Sequence, residues 1–262
     1  MTESTTLPLI RNLSLATAAL AALVAGYSLA DPGIYRPLTP DPLMPGSLSQ
    51  DIGTLICAGL VAFTVADKAR NAAWWLIWAG AMAYLAYGYA LYSFEALYNP
   101  LYLGYIAIFA LSIWTLGLFA TRSGIRVTAS WPAPPRRATA ILLILLTALF
   151  LMLWLSIMLP AMARREVPLA STIFVLDFSI VLPALAVCAL SLWQGRQLGD
   201  LLAVPLLMKS ASIGLSVLGG TLLGPFYGLP IALEEVATYA VLGLLPPIFM
   251  ALFLRRIRVS IG

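Results

Sequence analysis

Long apolar stretches alternate with short polar segments along the whole chain. Each stretch holds roughly the 20 mostly apolar residues that a helix needs to cross the hydrocarbon of a membrane. The pattern predicts an all-α, polytopic transmembrane bundle of about eight spans, with no segment that resembles a soluble domain. The predicted spans are 12–30, 51–66, 72–94, 100–120, 138–161, 172–194, 200–222 and 231–254.

Two of the polar connections have a distinctive composition. The loop 31–50 contains five prolines and two glycines, which favour an irregular path over the surface. The loop 121–137 contains four arginines and separates four predicted spans from the next four. We therefore expect one domain over 1–262, with halves 1–120 and 138–262 joined by a basic cytoplasmic loop.

The two halves share a weak pattern that suggests a 4+4 pseudo-repeat. Arg36–Leu38 follows the first span, and Glu166–Leu169 follows the fifth. Asp51 then opens the second span, and Asp177 lies near the start of the sixth. In transporters built from parallel repeats, the binding site lies at the repeat interface.

The composition and the placement of the charges agree with a membrane protein. The chain is 61% apolar and 10% charged, with a mean hydropathy of +0.95. With both termini in the cytoplasm, eleven of the fifteen basic residues lie on the inner face, which is the bias that the positive-inside rule describes. The inner set is Arg11, Lys68, Arg70, Arg122, Arg126, Arg136, Arg137, Arg196, Arg255, Arg256 and Arg258; the outer set is Arg36, Arg164 and Arg165.

Several kinds of chemistry lack the residues they require. The sequence has no histidine, which argues against bis-histidine haem sites, typical zinc sites and histidine general bases. Cys57 and Cys188 both lie in apolar segments and are typical of buried packing residues rather than of a disulfide or a metal pair. Phosphate-binding loops and serine nucleophile elbows are absent from the sequence. We expect no cofactor, no metal site and no nucleic-acid partner.

Ionisable residues inside apolar segments are the candidate functional residues, because they are costly to hold in hydrocarbon. Lys209 lies near the midplane of the seventh span, and Asp177, about 8 Å below the outer boundary, is its expected ion-pair partner. The remaining candidates for substrate or ion binding lie at or near the outer boundary of the membrane. They are Asp51, Glu95, Glu234 and Glu235.

These residues also have structural interpretations. Asp51 begins the second predicted span, so it is a candidate N-cap, and Glu95 precedes an Asn-Pro turn. Asp177 and Lys209 are also compatible with a purely structural ion pair between helices. Glu234 and Glu235 lie about 100° apart on a helix, so one can face the interior beside Asp177 while the other faces water.

Three segments carry a resemblance to known proteins. Ser49–Leu55, Tyr92–Leu101 and Val175–Pro183 resemble segments of bacterial multi-pass inner-membrane proteins to which no activity is assigned. The resemblance covers most of residues 30–210. It implies a bacterial inner-membrane location and no particular chemistry.

Three functions fit these observations. The first is a small secondary transporter or permease for a cation, a proton or an amine-bearing solute. The second is a non-catalytic subunit or assembly factor of a membrane complex, and the third is an intramembrane enzyme that acts on a lipid or an isoprenoid with a carboxylic acid. The expected partners are membrane lipids, a small cationic solute, and another membrane protein or a second copy of the chain.

Overall fold

The computed structural model describes residues 3–68, 71–129 and 134–261, and within these ranges it gives no side-chain description for residues 3–6, 67 and 68. The described residues are helical except for the connections and two short strands. The helices are α1 (Glu3–Ala30), α2 (Met44–Phe63), α3 (Trp74–Phe94), α4 (Tyr102–Arg122), α5 (Arg136–Arg164), α6 (Thr172–Leu176), α7 (Leu182–Trp193), α8 (Gln197–Leu223) and α9 (Leu233–Leu254). A π-helical turn at Asp177–Val181 joins α6 and α7 into one span, and a second one at Thr64–Lys68 extends α2.

Seven helical stretches in the described ranges are long and apolar enough to cross a membrane. They are Leu7–Ala30, Asp41–Ala66, Tyr102–Arg122, Arg136–Arg164, Thr172–Trp193, Gln197–Tyr227 and Leu233–Leu254. The remaining predicted span coincides with α3, which carries no charged residue but contains three tryptophans and four tyrosines. These polar-tipped aromatic residues lower its hydropathy.

Helix α3 is the central helix of the bundle. It packs against α4, α2 and α8, and most of its residues are buried. One hydrophobic cluster draws mainly on α1, α2, α3 and α4, and a second draws mainly on α5, α7, α8 and α9. Helix α8 contributes to both clusters, because Met208 packs in the first and Leu207 in the second. The two groups of helices therefore meet along α8.

A short antiparallel pairing ties two distant segments together. Strand β1 (Arg126–Ala129) follows α4, and strand β2 (Ile257–Ser260) follows α9, with Val127 opposite Val259. The pairing fixes the segments that follow α4 and α9 at the same end of the bundle. Sequence analysis treated both segments as a loop and a tail, so it missed these strands.

We call this end the basic end, because exposed arginines surround the two strands. These arginines are Arg122, Arg126, Arg137, Arg196, Arg255, Arg256 and Arg258. Of the other residues assigned to the inner face, Arg70 and the side chain of Lys68 lie outside the described part of the chain. The opposite end, which carries the connections between α1 and α2, α3 and α4, α5 and α6, and α8 and α9, is called the acidic end.

Candidate functional site

Asp177 occupies an irregular position in the backbone of its span. It opens the π-helical turn, in which the Leu182 N–H donates to the Asp177 carbonyl five residues earlier. Pro183 lies just after this turn and has no backbone N–H to donate to it. The missing hydrogen bond is compatible with a local widening of the helix. Single π-helical turns occur frequently at functional sites. Sequence analysis did not predict this widened turn.

Both carboxylate oxygens of Asp177 accept a hydrogen bond from an aromatic side chain. The Tyr87 hydroxyl of α3 donates to Oδ1 at 2.9 Å, and the Trp154 indole N–H of α5 donates to Oδ2 at 2.8 Å. Asp177 is buried, with 7% of its surface exposed. Aromatic donors of this kind satisfy a carboxylate while keeping its surroundings apolar. Three helical spans therefore converge on one buried acid.

Lys209 of α8 lies next to the same tyrosine. Its ammonium nitrogen is 4.0 Å from the centroid of the Tyr87 ring, and the side chain is buried. A desolvated cation–π contact of this type is worth about 2 kcal/mol or more. No carboxylate in the described ranges lies within 4.0 Å of the Lys209 ammonium, although the charge of Asp177 acts on it at longer range. The expected direct ion pair between Lys209 and Asp177 is therefore wrong, and Tyr87 stands between the two charges.

We call Lys209, Tyr87, Asp177 and Trp154 the ammonium site. Sequence analysis found Asp177 and Lys209 as candidate residues. It did not find Trp154, because nothing local distinguishes this tryptophan from those that pack in lipid.

Buried polar side chains form a seam that runs from Lys209 toward the acidic end, between α2, α3 and α8. Ser212 and Ser216 lie on the same face of α8 as Lys209, at helical spacing. The Ser212 hydroxyl is 3.6 Å from the Cys57 sulfur, and the Tyr84 hydroxyl is 2.8 Å from the Ser216 hydroxyl. We call these four residues the polar seam.

Asp51 lies in a second, separate site. Helix α2 begins at Met44, so Asp51 is two turns inside the helix, and its interpretation as an N-cap is wrong. The residue is fully buried, and its Oδ2 accepts a hydrogen bond from the Tyr35 hydroxyl at 2.7 Å. Its Oδ1 is buried without a hydrogen-bond partner. Residues 44–50, which sequence analysis assigned to the loop, form the first two turns of the helix, so the helix starts earlier than expected.

Four buried tyrosines, Tyr35, Tyr89, Tyr92 and Tyr105, lie around Asp51 in this second site. Tyr92 is the hub, because its ring centroid lies 5.8 Å from that of Tyr35, 5.9 Å from that of Tyr89 and 5.1 Å from that of Tyr105. The Tyr92 hydroxyl donates to the Ser47 carbonyl, whereas the buried Tyr89 hydroxyl has no partner. We call these four residues the tyrosine cluster.

The other three predicted site residues lie outside both sites. The exposed Glu95 accepts the Thr172 N–H at 2.9 Å, so it caps the start of α6 from a neighbouring loop. Glu234 and Glu235 are both exposed in the first turn of α9, and neither side chain forms a hydrogen bond or ion pair with another described residue. The expectation that one of this pair is buried beside Asp177 is wrong.

One close ion pair was not anticipated by sequence analysis. At the basic end, the Arg136 guanidinium donates two hydrogen bonds to Asp200, at 2.7 and 2.5 Å. The pair joins the start of α5 to the start of α8. Sequence analysis placed Arg136 on the inner face, but a partner 64 positions away cannot be assigned from spacing alone.

Comparison with protein-family models, curated proteins and solved structures finds no significant match for this chain. Within the described residues, no group of three or more histidine, cysteine, aspartate or glutamate side chains could hold a metal ion. Two surface grooves, of about 400 and 510 Å³, lie at the basic end, and neither is lined by a residue of the ammonium site.

Proposed function

We propose that this protein is a small secondary transporter or permease of the bacterial cytoplasmic membrane that carries a cation or an amine-bearing solute. The observation that carries the proposal is the arrangement at the ammonium site. There a buried lysine ammonium lies on the ring of Tyr87, and the hydroxyl of the same tyrosine is bonded to the buried Asp177. Such intramembrane charges are expensive and usually mark solute or ion pathways.

The proposal includes a topology of eight spans with both termini in the cytoplasm. In it, α3 is added to the seven long apolar stretches as the third span along the chain, shielded from lipid by α2, α4 and α8. The β1–β2 pairing supports an even number of spans between Arg126 and Ile257, and the α5, α6–α7, α8 and α9 spans supply four. The exposed arginines of the basic end support its cytoplasmic position. A 4+4 pseudo-repeat with its interface along α3 and α8 fits the same topology.

In this proposal, Lys209 is an internal substitute for the ammonium group of the solute. A solute amine that reaches the site competes with Lys209 for the Tyr87 ring and for the charge of Asp177. The π-helical turn at Asp177–Val181 and Pro205 within α8 give the two spans irregular backbone, where a rearrangement costs less than in a regular helix. The polar seam supplies the route from the acidic end.

The charge distribution at the acidic end supports entry of cations. Its exposed carboxylates outnumber its exposed basic residues, and the resulting negative potential raises the local concentration of cations. The exposed carboxylates are Asp31, Asp41, Glu95, Glu166, Glu234 and Glu235, and the exposed basic residues are Arg36, Arg164 and Arg165.

The test is uptake by the full-length protein in proteoliposomes. Radiolabelled methylammonium and choline serve as probes, with and without a proton gradient. We expect Asp177→Asn and Lys209→Met to lower the initial rate by about tenfold or more, which corresponds to about 1.4 kcal/mol. Glu234→Gln is the matched control, because it removes only one of the six exposed carboxylates at the acidic end and should lower the rate far less than tenfold. Equal rates for all variants would remove the assigned roles, and no uptake of either probe by the wild type would count against an amine carrier.

The second candidate is a subunit of a larger membrane complex. Helices α5 and α9 favour it, since only 17% of the apolar window of each is buried within the chain. A partner that covers these helices should remain bound during purification in mild detergent. A monodisperse, transport-active monomer would contradict this candidate.

A further inference from the structure

Asp51 has too few partners for an ionised carboxylate. Its side chain is fully buried, one oxygen accepts one hydrogen bond, and the other oxygen accepts none. Within the described ranges, no lysine or arginine nitrogen lies within 4.0 Å of it. An ionised carboxylate without a counter-charge is among the most costly groups to bury, so it either acquires a cation or becomes neutral.

The elements packed against Asp51 present no compensating positive charge. The loop between α1 and α2 contributes Tyr35, and Arg36 beside it forms an exposed ion pair with Asp41. The nearby residues of α1 and α8 that take part in hydrogen bonds are Ser28 and Ser216. The titratable groups around Asp51 are Tyr35, Tyr84, Tyr89, Tyr92 and Tyr105, together with Cys57 on α2 itself.

We propose that Asp51 is a proton-binding site, and that it supplies the coupling proton of the transport activity proposed above. The proton binds to the unpartnered Oδ1, and this converts the buried carboxylate into a neutral carboxylic acid. Proton binding itself does not require that the protein is a transporter; only the coupling role rests on that proposal.

A proton fits this site better than a metal ion does. A bound sodium or calcium ion needs several oxygen ligands around it, and calcium usually takes six to eight. Asp51 belongs to no group of three or more histidine, cysteine, aspartate or glutamate side chains in the described residues, and its neighbours are members of the tyrosine cluster. A proton requires no coordination shell, and the unpartnered hydroxyl of Tyr89 belongs to the same cluster.

Tyr35 closes this site from the acidic end. It belongs to the short helical turn Pro32–Tyr35 outside the spans, yet its side chain is fully buried and reaches Asp51. Burial and the negative charge of Asp51 raise the pKa of Tyr35 well above its ordinary value, so the residue stays a neutral hydrogen-bond donor.

The test is infrared spectroscopy of the full-length protein in lipid bilayers, titrated with acid and base. We expect the wild type to show the band of a buried carboxylic acid at pH values where exposed carboxylates are ionised. Asp51→Asn should lose that band, and Asp41→Asn, which changes an exposed acid in the same region, should retain it. Tyr35→Phe should keep the band but shift it, because Oδ2 loses its donor.

Each of these results tests proton binding by Asp51 independently of whether the protein is a transporter. If Asp51→Asn removes no band and Tyr35→Phe shifts none, Asp51 does not bind a proton. If sodium chloride abolishes the band at constant pH while potassium chloride at the same concentration does not, the site takes sodium and the proposal is overturned. The measurement is made at equilibrium without solute flux. An intact band in a protein that carries no probe would therefore reject the transport function and leave proton binding in place.

Discussion

The ammonium of Lys209 and the carboxylate of Asp177 are joined through the two ends of one side chain. The Tyr87 ring receives the cation at 4.0 Å, and the Tyr87 hydroxyl donates to the anion at 2.9 Å. The tyrosine keeps the two charges apart while it stabilises both. A direct ion pair would fix the lysine to the acid, whereas a cation–π contact is less directional and leaves the ammonium replaceable.

Replacing Tyr87 by phenylalanine separates the two functions of its side chain. Tyr87→Phe keeps the ring under Lys209 but leaves Asp177 with only the Trp154 donor. We expect the free energy of unfolding to fall by about 1–3 kcal/mol, the cost of a buried acceptor that loses its partner. Tyr27→Phe is the control, because Tyr27 is exposed on α1. Denaturant titration in mixed detergent micelles measures both, and equal stability of the two variants would contradict the prediction.

The ion pair at the basic end should contribute strongly to stability. Asp200 is buried and Arg136 is only partly exposed, so Arg136→Ala leaves a buried carboxylate without a counter-charge. We expect a loss of about 3–5 kcal/mol in the free energy of unfolding. Arg164→Ala breaks a pair with Glu166 in which both side chains are 60% exposed, and it should cost at most about 1 kcal/mol. Comparable losses in the free energy of unfolding for the two variants would contradict the prediction that burial makes the Arg136–Asp200 pair the more stabilising one.

Close backbone approach between α8 and α9 depends on two facing glycines. A Cβ atom at Gly214 would lie 2.7 Å from both the Gly243 Cα and the Leu242 carbonyl oxygen. Because these atoms are backbone, Gly214→Ala must push the helices apart, and overpacking of this kind costs about 1–3 kcal/mol. At Gly117 of α4 a Cβ meets nothing within 4 Å, so Gly117→Ala should stabilise the helix by about 0.5–1 kcal/mol. Changes of opposite sign in the free energy of unfolding for the two variants would support this packing, and a stabilising Gly214→Ala would contradict it.

The β1–β2 register can be tested by disulfide cross-linking. Thr128 and Arg258 are opposite each other in the antiparallel pair, and both are exposed. Residues opposite each other in such a pair have Cα atoms about 4.5–5.5 Å apart, which suits a disulfide. We expect the double variant Thr128→Cys/Arg258→Cys to cross-link on mild oxidation, while Thr128→Cys/Ser260→Cys, two positions out of register, cross-links much less. Cys57 and Cys188 are buried and should not interfere.

The sequence by itself determined the class of protein and the location of most helices. Apolar runs and charge counts are local or additive properties, so they can be read without knowing which helices touch. The same reasoning identified Asp177 and Lys209, because a charge inside an apolar run is visible in any arrangement of helices. It also predicted buried free cysteines at positions 57 and 188, which the structure confirms.

Only the tertiary structure decided what each charge meets. Tyr87 and Asp177 are 90 positions apart, and Tyr35 reaches Asp51 from a loop, so neither contact follows from helical periodicity. Asp177 is buried whereas Glu234 and Glu235 are exposed, although all three lie near the starts of apolar stretches. The difference arises because burial depends on which neighbouring helix covers that turn. Partner choice is a property of packing between distant segments, whereas the sequence pattern fixes only the face and the depth at which a side chain lies.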